Sequence, residues 1–259
     1  MSATSHSPTG NALVLSAGGM FGAWQAGAWK ALEARFHPDI VVGVSAGALN
    51  GWAIAGGCPP EELVAHWMDR SSACSLKLKL QWPWRGAFDA ALLETNVRLL
   101  YERYTPRTEY GAVAVELPHL KARLFRTPDI GWRHLVASCS VPCLLPPVRI
   151  DGRRFCDGGL ISPLPLWAAA EMGARRIVAL NALPLLPSRM VRSFVKGVRR
   201  LAGTPRQPEG IEVVVIAPAE PLGRMRDLLF WKEPGIRRMV EMGAAAAKII
   251  SIPDCFGSQ

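Results

Sequence analysis

The sequence has no apolar run long enough to cross a membrane. A spanning helix needs roughly 18 to 20 consecutive apolar residues, and prolines within 142–147 and 218–221 interrupt the longest candidates. Residues 1–10 are polar and contain neither the basic nor the apolar segment of a secretory signal. We therefore predict a cytoplasmic protein without a membrane-spanning helix.

Cysteine and histidine are too scattered to indicate a metal site. The chain has 6 cysteines and 5 histidines, but no C-x-x-C pair and no cysteine near a histidine at ligand spacing. Zinc sites need such spacing, so we predict no bound metal and no cofactor. The cysteines are expected to serve as small buried apolar residues.

Acidic residues are outnumbered by basic ones, and the formal net charge is +9. A basic surface attracts nucleic acid, anionic lipid or acidic proteins, and charge alone does not distinguish these partners. The sequence carries no zinc-finger or RNA-binding signature, so nucleic acid is not an expected partner. Nothing in the sequence indicates an oligomeric state.

Strand and helix patterns alternate from the beginning of the chain. Apolar runs at 12–16 and 39–44 are each followed by a tight turn and then by a helical pattern. This alternation predicts a parallel sheet covered by helices. The further patterns are strands at 112–117, 123–126, 176–180 and 212–217, helices at 61–69, 90–104, 130–137 and 163–172, and irregular segments at 71–89 and 142–147.

The pattern G-x-S-x-G occurs where the second apolar run meets its helix, in Gly43-Val44-Ser45-Ala46-Gly47. In a nucleophile elbow the serine lies on a sharp strand-to-helix turn, and Gly43 and Gly47 would permit the close backbone approach. The helix N-terminus also places amide groups beside an oxyanion. An ordinary turn with a capping serine has the same pattern, so the motif alone makes Ser45 a candidate nucleophile.

A second turn of small residues, Ser16-Ala17-Gly18-Gly19-Met20-Phe21-Gly22, follows the first apolar run. Backbone N–H groups in such a turn converge on an anion, which could be an oxyanion or a phosphate. A dinucleotide site needs G-x-G-x-x-G and an acidic residue about 20 positions later. Ala17 occupies the first glycine position and Glu33 comes too early, so dinucleotide binding is disfavoured.

Asp157-Gly158-Gly159 is by itself only a turn sequence, but with the other two motifs it resembles the patatin-like phospholipase family. The matching segments are Ala17-Gly18-Gly19-Met20-Phe21-Gly22, Gly43-Val44-Ser45-Ala46-Gly47-Ala48-Leu49-Asn50-Gly51, Ala137-Ser138-Cys139-Ser140-Val141-Pro142, Pro146-Pro147, Ile150-Asp151-Gly152, Asp157-Gly158-Gly159, and Leu164-Pro165 onward to Leu180. Their order and spacing are far more specific than any single motif.

This resemblance covers residues 11–182 and implies a three-layer α/β/α fold with a mainly parallel central sheet. We expect a single domain over residues 1–259, in which 11–182 hold the motif core. Residues 183–259 would form a C-terminal extension of the same domain. The substrate that the resemblance implies is a lipid or another acyl ester.

The family chemistry uses a Ser–Asp dyad in place of a triad. The resemblance implies Ser45 as the nucleophile and Asp157 as the base that takes its proton. The oxyanion hole would consist of backbone amides from Ala17, Gly18, Gly19 and Ala46. A free Asp has a pKa near ~3.9, which suits the deprotonation of serine poorly. The site must therefore raise that pKa, or its geometry must compensate.

Two positions depart from the family pattern. Ala17 stands where the family usually has glycine, which restricts the backbone at that point. Phe21 stands where the family usually has arginine. Either the oxyanion loop lacks a neighbouring cation, which would favour a less anionic ester, or residue 21 supports the loop through packing, and the sequence leaves both interpretations open.

Histidine is not expected in the catalytic machinery. An α/β-hydrolase triad places its histidine in a late, glycine-flanked loop. The candidates His66, His119 and His134 do not lie in such a loop, and all three precede the final strands. Structural roles in the core or at the surface are expected for them.

Residues 189–201 combine basic and apolar residues at helical spacing. One face would hold Met190, Val191, Phe194, Val195, Val198 and Leu201, and the other Arg192, Lys196, Arg199 and Arg200. The favoured interpretation is a helix packed on the sheet with a solvated basic face. The pattern also fits an interfacial helix on an anionic membrane, joined by Trp231 and Lys232. The protein would then be peripheral at the membrane.

Three classes of function remain open at this point. The favoured class is a lipid acyl hydrolase of phospholipase A, lysophospholipase or carboxylesterase type. An acyltransferase or thioesterase could use the same dyad, because an acyl-serine can react with water or with another acceptor. A non-catalytic lipid-binding module is the third class, and the presence of both Ser45 and Asp157 argues against it.

Overall fold

The computed structural model describes residues 10–69, 90–206 and 209–253, with the side chain of Phe194 excepted. Its strands are β1 Asn11–Leu15, β2 Ile40–Val44, β3 Glu109–Leu117, β4 Lys121–Arg126, β5 Val148–Ile150, β6 Arg153–Asp157, β7 Arg176–Leu180 and β8 Glu212–Ile216. Its longer helices are α1 Gly22–Leu32, α2 Ala46–Ala55, α3 Pro60–Met68, α4 Ala91–Arg103, α5 Trp132–Cys139, α6 Leu166–Glu171, α7 Arg189–Ala202, α8 Met225–Leu229 and α9 Glu233–Lys248.

The described strands form one mixed sheet in the order β5-β6-β3-β2-β1-β7-β8, with β4 also paired to β3. The strands from β3 to β8 in this order run parallel, whereas β4, β5 and β6 are antiparallel to their neighbours. The carboxyl ends of β1 and β2 therefore meet at one edge of the sheet. The predicted α/β class with a mainly parallel sheet is confirmed.

Both faces of the central strands are covered, which explains their uninterrupted apolar sequences. In β1, Leu13 and Leu15 belong to the larger core, which also includes the buried side chains of α1. Ala12 and Val14 face the opposite way, into a smaller core closed by Ala168 of α6. The sheet is thus the middle layer between two sets of helices.

A hairpin that the sequence patterns did not predict carries Asp157. Strands β5 and β6 pair in antiparallel fashion around Asp151 and Gly152, which have φ values of 47° and 78°. Positive φ at both central residues of a two-residue loop is the geometry that Asp-Gly sequences favour. Asp157, interpreted from sequence as part of a turn, is the last residue of β6 and lies opposite Ala114 of β3.

Helix α9 was also not predicted, and it packs directly on α1. A Cβ atom on Gly27 of α1 would collide with the carbonyl oxygen of Val240, and one on Gly243 of α9 would collide with that of Trp24. The two glycines let the helix backbones approach more closely than side chains would allow. Residues 71–89, expected to be irregular, lie outside the described residues. Across the described ranges, none of the helices has the length and apolar character needed to span a bilayer.

Candidate active site

Ser45 occupies the sharp turn between β2 and α2. Its backbone has φ 57° and ψ −130°, a conformation that costs a non-glycine residue on the order of 1–3 kcal/mol. A Cβ atom on Gly43 would collide with the carbonyl oxygen of Gly47, and one on Gly47 would lie 2.5 Å from the carbonyl oxygens of Leu15 and Ser16. The spacing of the two glycines therefore follows from the sterics of the turn.

A buried serine holds this turn in place. The backbone N–H of Ser45 donates to the hydroxyl oxygen of Ser138 at 2.9 Å. That hydroxyl in turn donates to the carbonyl oxygen of Val113 in β3 at 2.8 Å. Ser138 is fully buried near the end of α5. Its role was not predicted, since a serine in a helix gives no sign of which distant backbone group it will meet.

Asp157 meets Ser45 although the two are far apart in sequence. Asp157 lies close enough to Ser45 for the serine hydroxyl to lower the pKa of its carboxyl group as a hydrogen-bond donor. The backbone N–H of Gly159 donates to Oδ1 of the same carboxylate at 2.6 Å. Only 4% of Asp157 and 6% of Ser45 is exposed. The structure thus brings the proposed nucleophile and base together in a site almost shielded from water.

Burial raises the pKa of Asp157 to about 6, and the hydrogen bonds from Ser45 and Gly159 oppose this rise. Desolvation disfavours the charged carboxylate, whereas the two donors favour it. The carboxyl group is therefore a stronger base than a free Asp but is still ionised at neutral pH. A raised pKa is one of the two ways, expected from the sequence, in which the site could suit Asp157 to accept a proton from serine.

The predicted oxyanion loop lies beside this pair, but not all of its backbone N–H groups are free to bind an oxyanion. The N–H of Ala17 donates to the carbonyl oxygen of Pro163 at 2.8 Å, so it is not available to an oxyanion. For the amides of Gly18 and Gly19, the described part of the chain offers no acceptor. Gly19 has φ 50° and lines the same cavity as Ser45 and Ala46. Gly18, Gly19 and Ala46 remain candidate donors, whereas Ala17 does not.

The two departures from the family pattern have packing roles. Phe21 is 1% exposed and belongs to the core of α1, which supports the packing interpretation of that residue. Ala17 lies against the turn after Asp157, because a Cβ atom on Gly159 would be 2.6 Å from the Cβ of Ala17. The side chain of Ala17 thus contacts the segment that holds the carboxylate.

A buried polar chain supports the loop and the elbow from behind. Nε2 of Gln25 donates to the carbonyl oxygen of Ser16 at 2.8 Å. Nδ2 of Asn50 donates to Oε1 of Gln25 at 3.0 Å, and the indole N–H of Trp67 donates to Oδ1 of Asn50 at 2.8 Å. Sequence reasoning did not single out Gln25, although an uncharged polar residue among the apolar residues of helix α1 was a signal.

Ser45 opens into a cavity of about 470 Å³. Aliphatic side chains from α2, α3, α4, α8 and the segment after α5 form most of its wall. They include Leu49, Leu63, Leu93, Val97, Leu100, Leu144, Leu145, Leu228 and Leu229. Polar groups are present at His66, Asp69, Asn96 and Arg103. The cavity is suited to an apolar chain attached to a small polar group.

The histidines hold positions that fit structural roles. Nδ1 of His134 accepts from the backbone N–H of Gly131 at the start of α5. His66 lines the cavity, but its Nε2 lies 3.7 Å from Oε1 of Glu62, and burial lowers its pKa. Among the described residues, Ser45 affects the pKa of the Asp157 carboxyl group and not that of His66 or His134.

Comparison with known proteins identifies similar chains. The family model described as patatin-like phospholipase matches residues 13–170. Patatin-like phospholipase domain-containing protein 7 of Rattus norvegicus is 30% identical over 188 residues, which are 67% of this chain and 14% of that protein. An uncharacterised NTE family protein of Mycobacterium bovis is 28% identical over 177 residues, which are 66% of this chain and 48% of that protein.

The crystal structure of VipD from Legionella pneumophila has a similar fold. It aligns with a TM-score of 0.51 at 12% identity, over 93% of this chain and 66% of that one. The family resemblance predicted from the three motifs is confirmed by the family model and by the two sequence relatives. The chain spans only about 14% of the length of the mammalian relatives, so their activities as whole proteins do not transfer to it directly.

Proposed function

The chain belongs to the patatin-like phospholipase family, and from this premise we propose that it is a lipid acyl hydrolase with Ser45 and Asp157 as its catalytic dyad. The observation that carries the proposal is the proximity of the Ser45 hydroxyl to the buried Asp157 carboxylate, whose pKa burial raises to about 6 and the hydroxyl lowers. The adjoining apolar cavity supports a substrate with an acyl chain.

The reaction would proceed in two steps through an acyl-serine. Ser45 Oγ attacks the ester carbonyl carbon while Asp157 accepts the hydroxyl proton, and the resulting oxyanion receives hydrogen bonds from the amides of Gly18, Gly19 and Ala46. The ester C–O bond then breaks, and the alcohol leaves with the proton from Asp157. Water attacks the acyl-serine in the second step, with Asp157 accepting its proton. The bond between the acyl carbon and Ser45 Oγ then breaks, Ser45 Oγ recovers the proton from Asp157, and the acid is released.

The dyad is tested by replacing each partner in turn. Ser45→Ala and Asp157→Asn should each lower kcat for a short soluble ester by about 10⁴-fold or more, and the double variant should be little worse than either single one, because the two residues act as a unit. In the wild-type protein, kcat/KM should rise with pH through about 6, as Asp157 loses its proton. Full activity of Asp157→Asn combined with its loss in His66→Gln would contradict the dyad and indicate a histidine base.

Acyl transfer is the second candidate reaction for the same acyl-serine. Parallel assays with ester and thioester substrates, with and without an added alcohol acceptor, measure the ratio of acid to transferred product. A non-catalytic lipid-binding module would not form a covalent adduct of Ser45 with a fluorophosphonate probe.

We also propose that α7 contacts an anionic lipid surface, so that the protein is peripheral at the membrane. The outward positions of α7 include the basic residues Arg192, Lys196 and Arg200, next to Met190 and Leu201, which are 81% and 89% exposed. Exposed apolar side chains beside cations are typical of interfacial helices.

The residues of α7 that face the protein are not all those expected from the sequence. Val195 and Val198 pack on the protein, as the packed-helix interpretation requires. Arg199, which was grouped with the basic face, also points inward. Trp231 is half-buried, and its indole N–H donates to the carbonyl oxygen of Trp67 at 2.9 Å. Neither Arg199 nor Trp231 is therefore included in the proposed lipid-binding surface.

A further inference from the structure

Arg199 connects α7 to the active site from the far side of the catalytic carboxylate. Its Nε donates to the carbonyl oxygen of Leu160 at 2.9 Å, and its Nη2 donates to that of Gly159 at 3.2 Å. The guanidinium is half-buried, and Val198 beside it packs on the cluster that contains Cys156 and Ile161. Both hydrogen bonds are made by a charged donor, which makes them stronger than bonds between neutral groups.

The two carbonyls belong to the short 3-10 turn Gly158–Leu160, which directly follows Asp157. Within this turn the carbonyl oxygen of Gly158 accepts from the backbone N–H groups of Ile161 and Ser162. The carbonyls of Gly159 and Leu160 come at the end of the turn, where no further helical N–H follows to satisfy them. Arg199 supplies both missing donors from one planar group.

The same turn presents the amide that orients Asp157. The N–H of Gly159 holds Oδ1 of the carboxylate at 2.6 Å, while the Ser45 hydroxyl lies near enough to lower the pKa of the same carboxyl group. A shift of the turn would move this N–H and rotate the carboxylate away from Ser45. The path from Arg199 to the reacting atoms therefore has two hydrogen-bonded steps, through the turn and through Asp157.

We propose that Arg199 is a positioning residue, which fixes the turn Gly158–Leu160 and thereby holds the Asp157 carboxylate against Ser45. This inference rests on the proposed role of Asp157 as the base. It makes α7 a part of the catalytic scaffold, although the helix lies beyond the residues 13–170 matched by the family model.

The alternative is that Arg199 merely anchors α7 to the protein. An anchor would change the amount of folded enzyme or its stability, but not the properties of each folded active site. A positioning role predicts a lower kcat per active site and a change in the titration of Asp157. Loss of the Gly159 N–H bond would raise the pKa of the carboxyl group further, because that bond favours the charged form.

The test compares Arg199→Gln and Arg199→Lys with the control Arg206→Gln, which removes an exposed charge just beyond α7. Active sites are counted by end-point labelling with a fluorophosphonate, and kcat, KM and the pH profile are measured on a short soluble ester. For Arg199→Gln we expect kcat per labelled site to fall about 10- to 100-fold, the loss that a displacement of about 1 Å can cause, with little change in KM. Lysine can serve one carbonyl and should restore part of the rate.

The acid limb of the pH profile is the readout that a structural anchor would not move. It should shift to higher pH in Arg199→Gln and by a smaller amount in Arg199→Lys. The neighbouring Cys156 thiol does not titrate in this range, because burial and the charge of Asp157 raise its pKa to about 12. Arg206→Gln should match the wild-type protein.

A normal kcat per labelled site together with an unshifted acid limb in Arg199→Gln would overturn the inference. This holds even if the number of labelled sites falls, because that result indicates only a structural anchor. If Arg199→Gln yields no folded enzyme, Arg199→Lys carries the test, and wild-type kinetics in that variant would refute the positioning role. Ser45→Ala and Asp157→Asn separate the two proposals. If Asp157→Asn is fully active, the dyad fails and the role of Arg199 with it, whereas an inactive Asp157→Asn beside a normal Arg199→Gln refutes only the latter.

Discussion

The carboxyl group of Asp157, the proposed base, lowers the stability of the folded protein because it is buried. It is 4% exposed, and burial raises its pKa from 3.8 to about 6. In the unfolded chain the group ionises near pH 4, so between pH 4 and 6 the folded state binds more protons than the unfolded state. Stability therefore falls as the pH rises through this range, and above pH 6 the full cost is present, about 3 kcal/mol at most.

Asp157→Asn should accordingly make the inactive protein more stable than the wild type at pH 8. The substitution keeps the shape and the acceptor for the Gly159 N–H but removes the buried charge. We expect Tm to rise by roughly 5 °C at pH 8 and the difference to vanish near pH 4. Thermal unfolding at both pH values measures this, and Ser45→Ala, which removes a donor to the carboxylate, should shift Tm in the opposite direction at pH 8.

At this scale the sequence identifies residues whose role is steric or covalent, and misses those defined by distant partners. Gly43 and Gly47 were predictable, because the turn around Ser45 excludes any side chain there. Other contacts depend on how separate segments pack. They include the hydrogen bond from the Ala17 N–H to the carbonyl oxygen of Pro163 and the one from the Ser45 N–H to the Ser138 hydroxyl. No local pattern in the sequence encodes such pairings.

Among the elements, α7 has one side that packs on the protein and one that is exposed to solvent. Its helical period was visible in the sequence, but the direction in which it faces was not. The exposed positions of Met190 and Leu201 and the inward position of Arg199 follow from docking on the cluster around Ile161. Likewise, the hairpin of β5 and β6 was missed because its strands are short and rich in arginine, so their pairing with β3 decides their conformation.

Replacing Arg192, Lys196 and Arg200 together by Gln should weaken binding to anionic vesicles by about 100-fold at low salt. Each basic side chain near an anionic leaflet contributes about 1 kcal/mol, and added salt should mimic the substitutions. Vesicle co-sedimentation measures the effect.

A matched control replaces three exposed arginines on other elements, Arg133, Arg149 and Arg154, which changes the net charge equally. This variant should bind the vesicles nearly as well as the wild type. Equal losses in both triple variants would mean that binding depends on net charge alone. Equal binding of the wild type to neutral and anionic vesicles would contradict the proposed surface.

At the scale of the whole molecule, the contact between α1 and α9 joins the two ends of the described chain. The family resemblance covered residues 11–182 and correctly predicted the sheet and its covering helices. It did not predict that α9 would complete the larger core, since the apolar pattern of a helix does not specify its partner. The close approach at Gly27 and Gly243 appears only in three dimensions.

Gly27→Ala and Gly243→Ala should each destabilise the protein by about 1–3 kcal/mol, because the added methyl group meets backbone atoms that cannot move aside. Urea unfolding measures the change. Gly197 of α7 provides the control, since a Cβ atom there meets nothing within 4 Å. Gly197→Ala should raise stability by up to about 1 kcal/mol, as expected for an open helix position. Destabilisation by all three substitutions would indicate a general effect of helix glycines and not a close crossing.

The wall of the cavity has a consequence for the order in which the protein matures during synthesis. Leu228 of α8 lines the cavity, and its carbonyl oxygen lies against Gly19 of the oxyanion loop. The ribosome makes the chain from the N-terminus, and domains generally acquire structure in that direction. Ser45 and its glycine loop therefore leave the ribosome long before the segment that encloses them. Until α8 has been made, the nascent chain holds the proposed nucleophile without a complete pocket for a substrate.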